Sequence, residues 1–296
     1  MKKLTVFTPT YNRARLLPRV YCSLKQQTSK EFIWLIVDDG STDGTEALVK
    51  KWQQEGVVEI QYLYKENGGM HTGHNAAYAY MTTPWNLCID SDDFMPDNAV
   101  EVIIENIRKI ENMPEYSGLI GLDATQDGKV IGTPIPDDLH KVHLNELYEI
   151  HGISGDKKLV YRTAYMRQVP PYPEYKNERL VPLDYKCLLL DQKYWLKPVN
   201  EVFCIVEYQD DGSTRNMLKQ YRRHPKGFAF SRISRIDYGA TFKEKARNAV
   251  HLVSCVLFTG DVGALFRSKN TPLVMAAIPA GLLLNLYIRL KTKKNP

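Results

Sequence analysis

An α/β fold, with a parallel sheet between helices, is predicted by two features of this 296-residue chain. Short apolar runs alternate with stretches whose apolar residues recur at helical spacing, which is the pattern of strand–helix–strand units. The runs also stop abruptly at acids: residues 32–37 end at Asp38 and Asp39, and residues 85–89 end at Asp90, Asp92 and Asp93. Parallel strands of an open sheet share one C-terminal rim, and that rim is where such folds bind ligands.

Residues 4–8 are a short apolar strand stopped by Pro9, and Leu16, Leu17, Val20 and Leu24 give residues 15–27 helical spacing. The strand 32–37 and an acidic loop follow, then a helix over 45–54, a strand within 57–64, a helix over 72–80 and the strand before Asp90. Asp97 and Asn98 can open a helix over 99–110. This order brings loops 8–12, 38–43 and 90–93 to one rim. Further strands are expected at 118–122, 158–161 and 201–208, and a helix over 183–191, around turn-rich 125–138 and the proline-rich loop 170–173. From about residue 217 the pattern is mostly helical. Two regions are therefore expected, 1–215 and 216–296.

A composition of 44% hydrophobic and 25% charged residues excludes disorder as the default. The five cysteines are scattered without a C-x-x-C pair, so neither a disulfide framework nor a zinc site is expected. The apolar run after Lys2 and Lys3 is too short for a signal-peptide core, which places the N-terminus in the cytosol. Charge is unevenly spread: residues 216–296 carry fifteen Lys or Arg against three acids, and residues 1–215 carry 24 against 31. A basic tail fits nucleic acid or an anionic membrane. Rim carboxylates would repel nucleic-acid phosphates, so no nucleic-acid partner is expected.

Three carboxylates within residues 90–93 repel one another unless a cation sits among them. Hard oxygen ligands favour Mg2+ or Mn2+ over zinc. The plainer alternative is an acidic turn before the helix at 99. In the loop 65–75, Asn67, Gly68 and Gly69 let the backbone approach a ligand, and a helix from about Thr72 would aim its N-terminus at phosphates.

Thr8, Pro9, Thr10, Tyr11, Asn12 and Arg13, then Asp38, Asp39 and Gly40, then Asp90, Ser91, Asp92 and Asp93, taken in that order, resemble the inverting nucleotide-sugar glycosyltransferases of family 2, with the GT-A fold. The likeness covers roughly residues 3–210. It implies that Pro9, Tyr11 and Asp39 hold the nucleobase and ribose. Asp90, Asp92 and Asp93 would supply a metal-and-ribose motif, with Asp92 and Asp93 as the metal ligands and Asp90 on the ribose. Thr8, Arg13, Asn67, Gly69 and Asn75 would complete the donor site. His74 stands where the family usually has Lys or Arg. Inversion needs a base for the acceptor hydroxyl. Asp184 is favoured and Glu178 is the alternative, although Leu183 occupies the position where relatives often have an acid. Residues 155–158 are expected beside the acceptor, and 209–214 resemble a segment that closes over the donor.

Residues 272–288 are nearly all apolar, interrupted by Pro279, Gly281 and Asn285 and followed by Arg289, Lys291, Lys293 and Lys294. Residues 249–266 are a second apolar stretch containing Asp261. A short membrane anchor, an in-plane helix and a packed helical cap all fit that pattern. The combined expectation is a glycosyltransferase on the cytoplasmic side of the cell membrane, moving sugar from a nucleotide-sugar donor, a UDP-sugar, to a lipid-linked or polysaccharide acceptor. The rivals are a membrane-bound non-catalytic nucleotide-sugar-binding adaptor and a phosphohydrolase with Asp90 as nucleophile.

Overall fold

A computed structural model describes residues 2–207 and 216–292. Among these, one seven-stranded sheet runs in the order β3-β2-β1-β4-β6-β5-β7. Its strands are β1 (Leu4–Thr10), β2 (Phe32–Asp38), β3 (Ile60–Tyr64), β4 (Trp85–Cys88), β5 (Tyr116–Ala124), β6 (Lys157–Arg162) and β7 (Trp195–Ile205). Helices α1 (Leu17–Gln26), α2 (Thr45–Glu55), α3 (Met70–Tyr80) and α4 (Ala99–Ile110) lie between the first five strands. They are followed by α5 (Leu144–Glu149), α6 (Thr163–Gln168) and α7 (Asp184–Asp191), and by a C-terminal set of α8 (Met217–Arg223), α9 (Pro225–Tyr238), α10 (Phe242–Thr259), α11 (Thr271–Ala276) and α12 (Ile278–Lys291).

Strand alternation explains the two cores. Leu4, Val6, Trp34 and Ile36 pack on one face with α1, α2 and α4, whereas Phe7, Leu35 and Val37 pack on the other with residues of α3, α5 and α7. A strand buried on both sides favours apolar residues on both faces, so β2 reads as an unbroken run up to Asp38 and β1 is interrupted only by threonines, themselves buried.

The first four strands are parallel, as the alternation implies, and the sheet turns mixed beyond them. β6 runs antiparallel to both β4 and β5. A parallel β6 would need a crossover to the far end of the sheet, and between β5 and β6 the chain forms only the six-residue α5. The chain therefore returns from the rim where it left, and the start of β6 sits at that rim between the ends of β4 and β5.

The C-terminal helices form a third core of Phe228, Ile236, Leu252, Val256 and Val274, against which Leu180 also packs. The apolar stretch 272–288 is broken into α11 and α12, with Pro279 in the first turn of α12, where its missing N–H costs least. Among the described residues no helix is long and apolar enough to cross a membrane. α12 lies against α10: a Cβ on Gly281 would come within 2.4 Å of Val253, and Asn285 Nδ2 donates to the Ser254 carbonyl at 3.0 Å.

Candidate active site

The rim carries a cavity of about 820 Å3. Pro9, Tyr11, Arg13, Asp39, Asp90, Asp92 and Asp93, all expected from sequence, line it. The loops that present them are locked together. The backbone of Asn12, at a φ of 52°, donates to Ser41 Oγ at 2.8 Å, and its side-chain carbonyl accepts from Thr42 N at 2.8 Å. Asp38 accepts from the Tyr62 hydroxyl and Ser41 N, and Asp43 from Ala14 N and the Thr45 hydroxyl, so both acids build loops.

Asp39 is 4% exposed and organises the loop opposite. It accepts from Gly68 N at 2.9 Å and Gly69 N at 2.7 Å and is ion-paired with Lys65 at 2.6 Å. A carboxylate has about four acceptor positions, so one remains for a ligand N–H or O–H. Gly69 itself has φ 96°, and a Cβ there would meet the Arg179 carbonyl at 2.0 Å. Gly69→Ala should therefore lower unfolding free energy by about 3 kcal/mol, measured by denaturant titration. An unchanged midpoint would mean that the loop gives way freely.

Other residues expected in the donor site have internal partners. Thr8 is fully buried and accepts from Trp34 Nε1 at 3.0 Å. Asn75 donates to the Tyr172 carbonyl and accepts from Tyr172 N, both at 2.9 Å, which pins the proline-rich loop. His74 is buried between Tyr78, Cys88 and Phe7, and burial pushes its pKa down to about 4. Asn67 donates to the Asp39 carbonyl at 2.7 Å. These contacts tie all four into the rim, while Asn67 Oδ1 keeps no partner among the described residues. Residues 209–214 lie outside the described residues.

The acids at the centre differ from one another. Asp93 accepts from Glu207 N at 3.3 Å and stands 3.8 Å from Lys158 Nζ. Burial pushes its pKa up to about 7 against the pull of Lys158. Its commitments point inward, unlike the metal role expected for it. Asp92 is partly exposed, 4.0 Å from Arg13 Nη1.

Neither expected base carboxylate lines this cavity. Glu178 accepts from Lys226 N at 2.9 Å and Gly227 N at 3.0 Å, capping the N-terminus of α9. Asp184 is ion-paired with Arg235, accepts from the Ser231 hydroxyl at 3.1 Å, and borders a second cavity. Sequence reasoning missed Asp123, one residue before the end of β5, which lines the main cavity, is 2% exposed, and has an oxygen, Oδ1, with no hydrogen-bond donor among the described residues. Burial raises its pKa, and Lys158 opposes that. The signal was present: the apolar run 119–122 stops at an acid as the other two do.

Comparison with known proteins agrees with this rim. Residues 5–113 match the model of glycosyl transferase family 2. An uncharacterised glycosyltransferase of Mycoplasma pneumoniae is 30% identical over 113 residues, 37% of this chain and 38% of that protein. The poly(ribitol-phosphate) beta-N-acetylglucosaminyltransferase TarP of Staphylococcus aureus is 31% identical over 127 residues, 42% of this chain and 38% of TarP. The chain thus spans well under two thirds of these relatives. Among solved structures, S. aureus TarS 1-349 with UDP-GlcNAc superposes with a TM-score of 0.57 at 19% identity, covering 93% of this chain and 79% of that one. The mannosyltransferase PcManGT of Pyrobaculum calidifontis, with GDP-Man and Mn2+, gives 0.58 at 17% identity, covering 96% and 87%. Residues 5–113, which carry the rim loops of the first four strands, match glycosyl transferase family 2, and the chain has the GT-A fold.

Proposed function

We propose that the chain is an inverting, metal-dependent glycosyltransferase that moves a sugar from a nucleotide-sugar donor, a UDP-sugar, to a lipid-linked or polysaccharide acceptor in cell-surface glycan synthesis. The observation that carries this reading is the single cavity joining Pro9, Tyr11 and Asp39 to Asp90 and Asp92. Pro9 and Tyr11 offer an apolar and aromatic surface to a base, and Asp39 keeps an acceptor position for one of its N–H groups or for the ribose. Release of nucleoside diphosphate from a panel of nucleotide sugars tests it. No turnover with any donor, together with retained nucleotide binding, would favour the adaptor reading instead.

Mg2+ or Mn2+ needs only one or two protein carboxylates where substrate phosphates complete the shell. Among the described residues no three His, Cys, Asp or Glu are arranged to hold an ion by themselves. Asp90 and Asp92, hard oxygen donors on one open rim, satisfy the smaller requirement. When bound, such an ion stabilises the charge that develops on a diphosphate leaving group.

Asp184 and Glu178 are held by other partners, which favours Asp123 as the group that takes the acceptor's proton. The acceptor hydroxyl oxygen attacks the anomeric carbon as its proton passes to the Asp123 carboxylate. The bond from that carbon to the diphosphate oxygen breaks, its electron pair leaves with the diphosphate, and configuration inverts in one displacement.

The domain reading, 1–215 catalytic and 216–296 membrane-associating, draws support from α12. Leu282, Leu283, Leu286, Tyr287 and Leu290 are exposed on it, Leu283 at 70%, beside Arg289 and Lys291. Such a helix suits in-plane attachment to the cytoplasmic leaflet. The opposite side of α12 buries Gly281, Asn285 and Ile288, so its removal would open the third core. The cleaner test is L283E combined with L286E. Binding to vesicles containing phosphatidylglycerol should fall about tenfold or more while donor hydrolysis persists. Equal vesicle binding would remove the membrane role from this helix.

A further inference from the structure

A second cavity, of about 480 Å3, lies between α7, α8, α9 and α10, and Leu183 lines both it and the rim cavity. Three arginines border it, and their charges are answered differently. Arg235 is paired with Asp184 and with Glu244, and Arg247 is 2.6 Å from Glu149. Arg232 meets neutral groups: Nη1 donates to Asn248 Oδ1 at 2.8 Å, Nη2 to the Tyr221 hydroxyl at 3.3 Å, and the buried Nε donates to nothing among the described residues. Arg232 is half-buried and lies over the Tyr221 and Phe228 rings, with no carboxylate beside it among the described residues, and its forked N–H groups match phosphate oxygens. His251, also lining this cavity, has its pKa pushed down to about 4 by burial and by the charges of Arg232 and Arg247. The carboxylates around the site thus answer Arg235 and Arg247, and Arg232 is left without one. The one carboxylate lining it, Asp184, is already answered by Arg235. Met217 and Phe228 give the rest of the wall an apolar surface, suited to the ester arm of a phosphate and too large a space for a simple halide.

We infer that this cavity binds a phosphate group, a monoester or diester, and that the phosphate is carried by the acceptor. The second half of that statement rests on the transferase reading above. With Leu183 as the shared wall, a phosphate held by Arg232 would anchor an acceptor whose free end reaches the rim cavity. Neither the donor loops nor Asp92 contribute to it.

The test uses the full chain with isotope-labelled histidines, titrated with sn-glycerol 3-phosphate and with dihexanoyl phosphatidate, each with and without UDP and Mg2+. Both phosphates should move the His251 ring signals, assigned with His251→Gln, and raise the His251 pKa, because the bound anion offsets Arg232 and Arg247. Arg232→Gln should weaken phosphate binding about tenfold or more. Tighter binding of the phosphatidate identifies a lipid headgroup as the source, and equal binding identifies a soluble or polymeric phosphate. His251 signals unmoved by either phosphate, or unweakened binding by Arg232→Gln, would overturn the inference. Should that variant fail to fold through loss of Asn248 and Tyr221, Arg232→Lys keeps the charge without the fork, and the unaltered protein's His251 titration decides the matter. Failure of UDP to bind would count against the transferase reading alone, since His251 reports independently of the rim.

Discussion

Asp92→Asn is expected to reduce donor turnover, both hydrolysis and transfer, on the order of a hundredfold or more. The substitution keeps side-chain shape and removes the charge that faces the rim cavity between Arg13 and the Asp90 strand end. Because Asp92 is partly exposed and belongs to neither hydrophobic core, the fold should persist, with an unfolding midpoint near that of the unaltered protein. Activity of the unaltered protein should vanish with chelator and return with Mg2+ or Mn2+. Turnover that resists chelator, or an active Asp92→Asn protein, would remove the metal from the proposal.

The second large effect concerns the proton. Asp123→Asn should lower transfer by about 10²- to 10⁴-fold while nucleotide binding is retained, since a general base acts on the acceptor hydroxyl and not on the donor. Asp184→Asn should behave differently. It leaves Arg235 with Glu244 as its remaining partner and should appear mainly as reduced stability, with transfer per folded molecule largely intact. The opposite pattern, a dead Asp184→Asn enzyme and an active Asp123→Asn enzyme, returns the role to the residue favoured by sequence.

The front of the fold was legible because β1, β2 and β4 are buried on both faces and end in polar residues, so apolar runs and their stops mark both strand and rim. Strand direction was not legible: the run Lys157–Arg162 reads equally well either way, and only its antiparallel pairing with β4 and β5 fixes it. Helices α5 and α6, at six residues each, are too short for a periodic signal. The internal partners of Thr8 and Asn75, Trp34 and Tyr172, lie 26 and 97 positions away, beyond what local pattern can show. The tail was read for the membrane because its apolarity is genuine, but part of it serves α10, and periodicity cannot say which neighbour a buried stripe will meet. Asp123 carries the same signature as Asp38 and Asp90, but it is a lone acid at its strand end, with no second acid beside it to mark it as part of a site.

The backward-running β6 divides the cavity by ancestry of its parts. On the β4 side the cavity is lined mainly by the first 113 residues, the stretch matched by the family model, joined there by Val206 and Glu207, whereas Asp123, Tyr148, Asp156 and Lys157 come from the later chain. The 125–156 connection can lengthen, shorten or change composition without altering the register of β1, β2 or β4. On the proposed function, this division would separate donor-side from acceptor-side residues, and chimeras joined between α4 and β5 are the natural place to exchange one half for another.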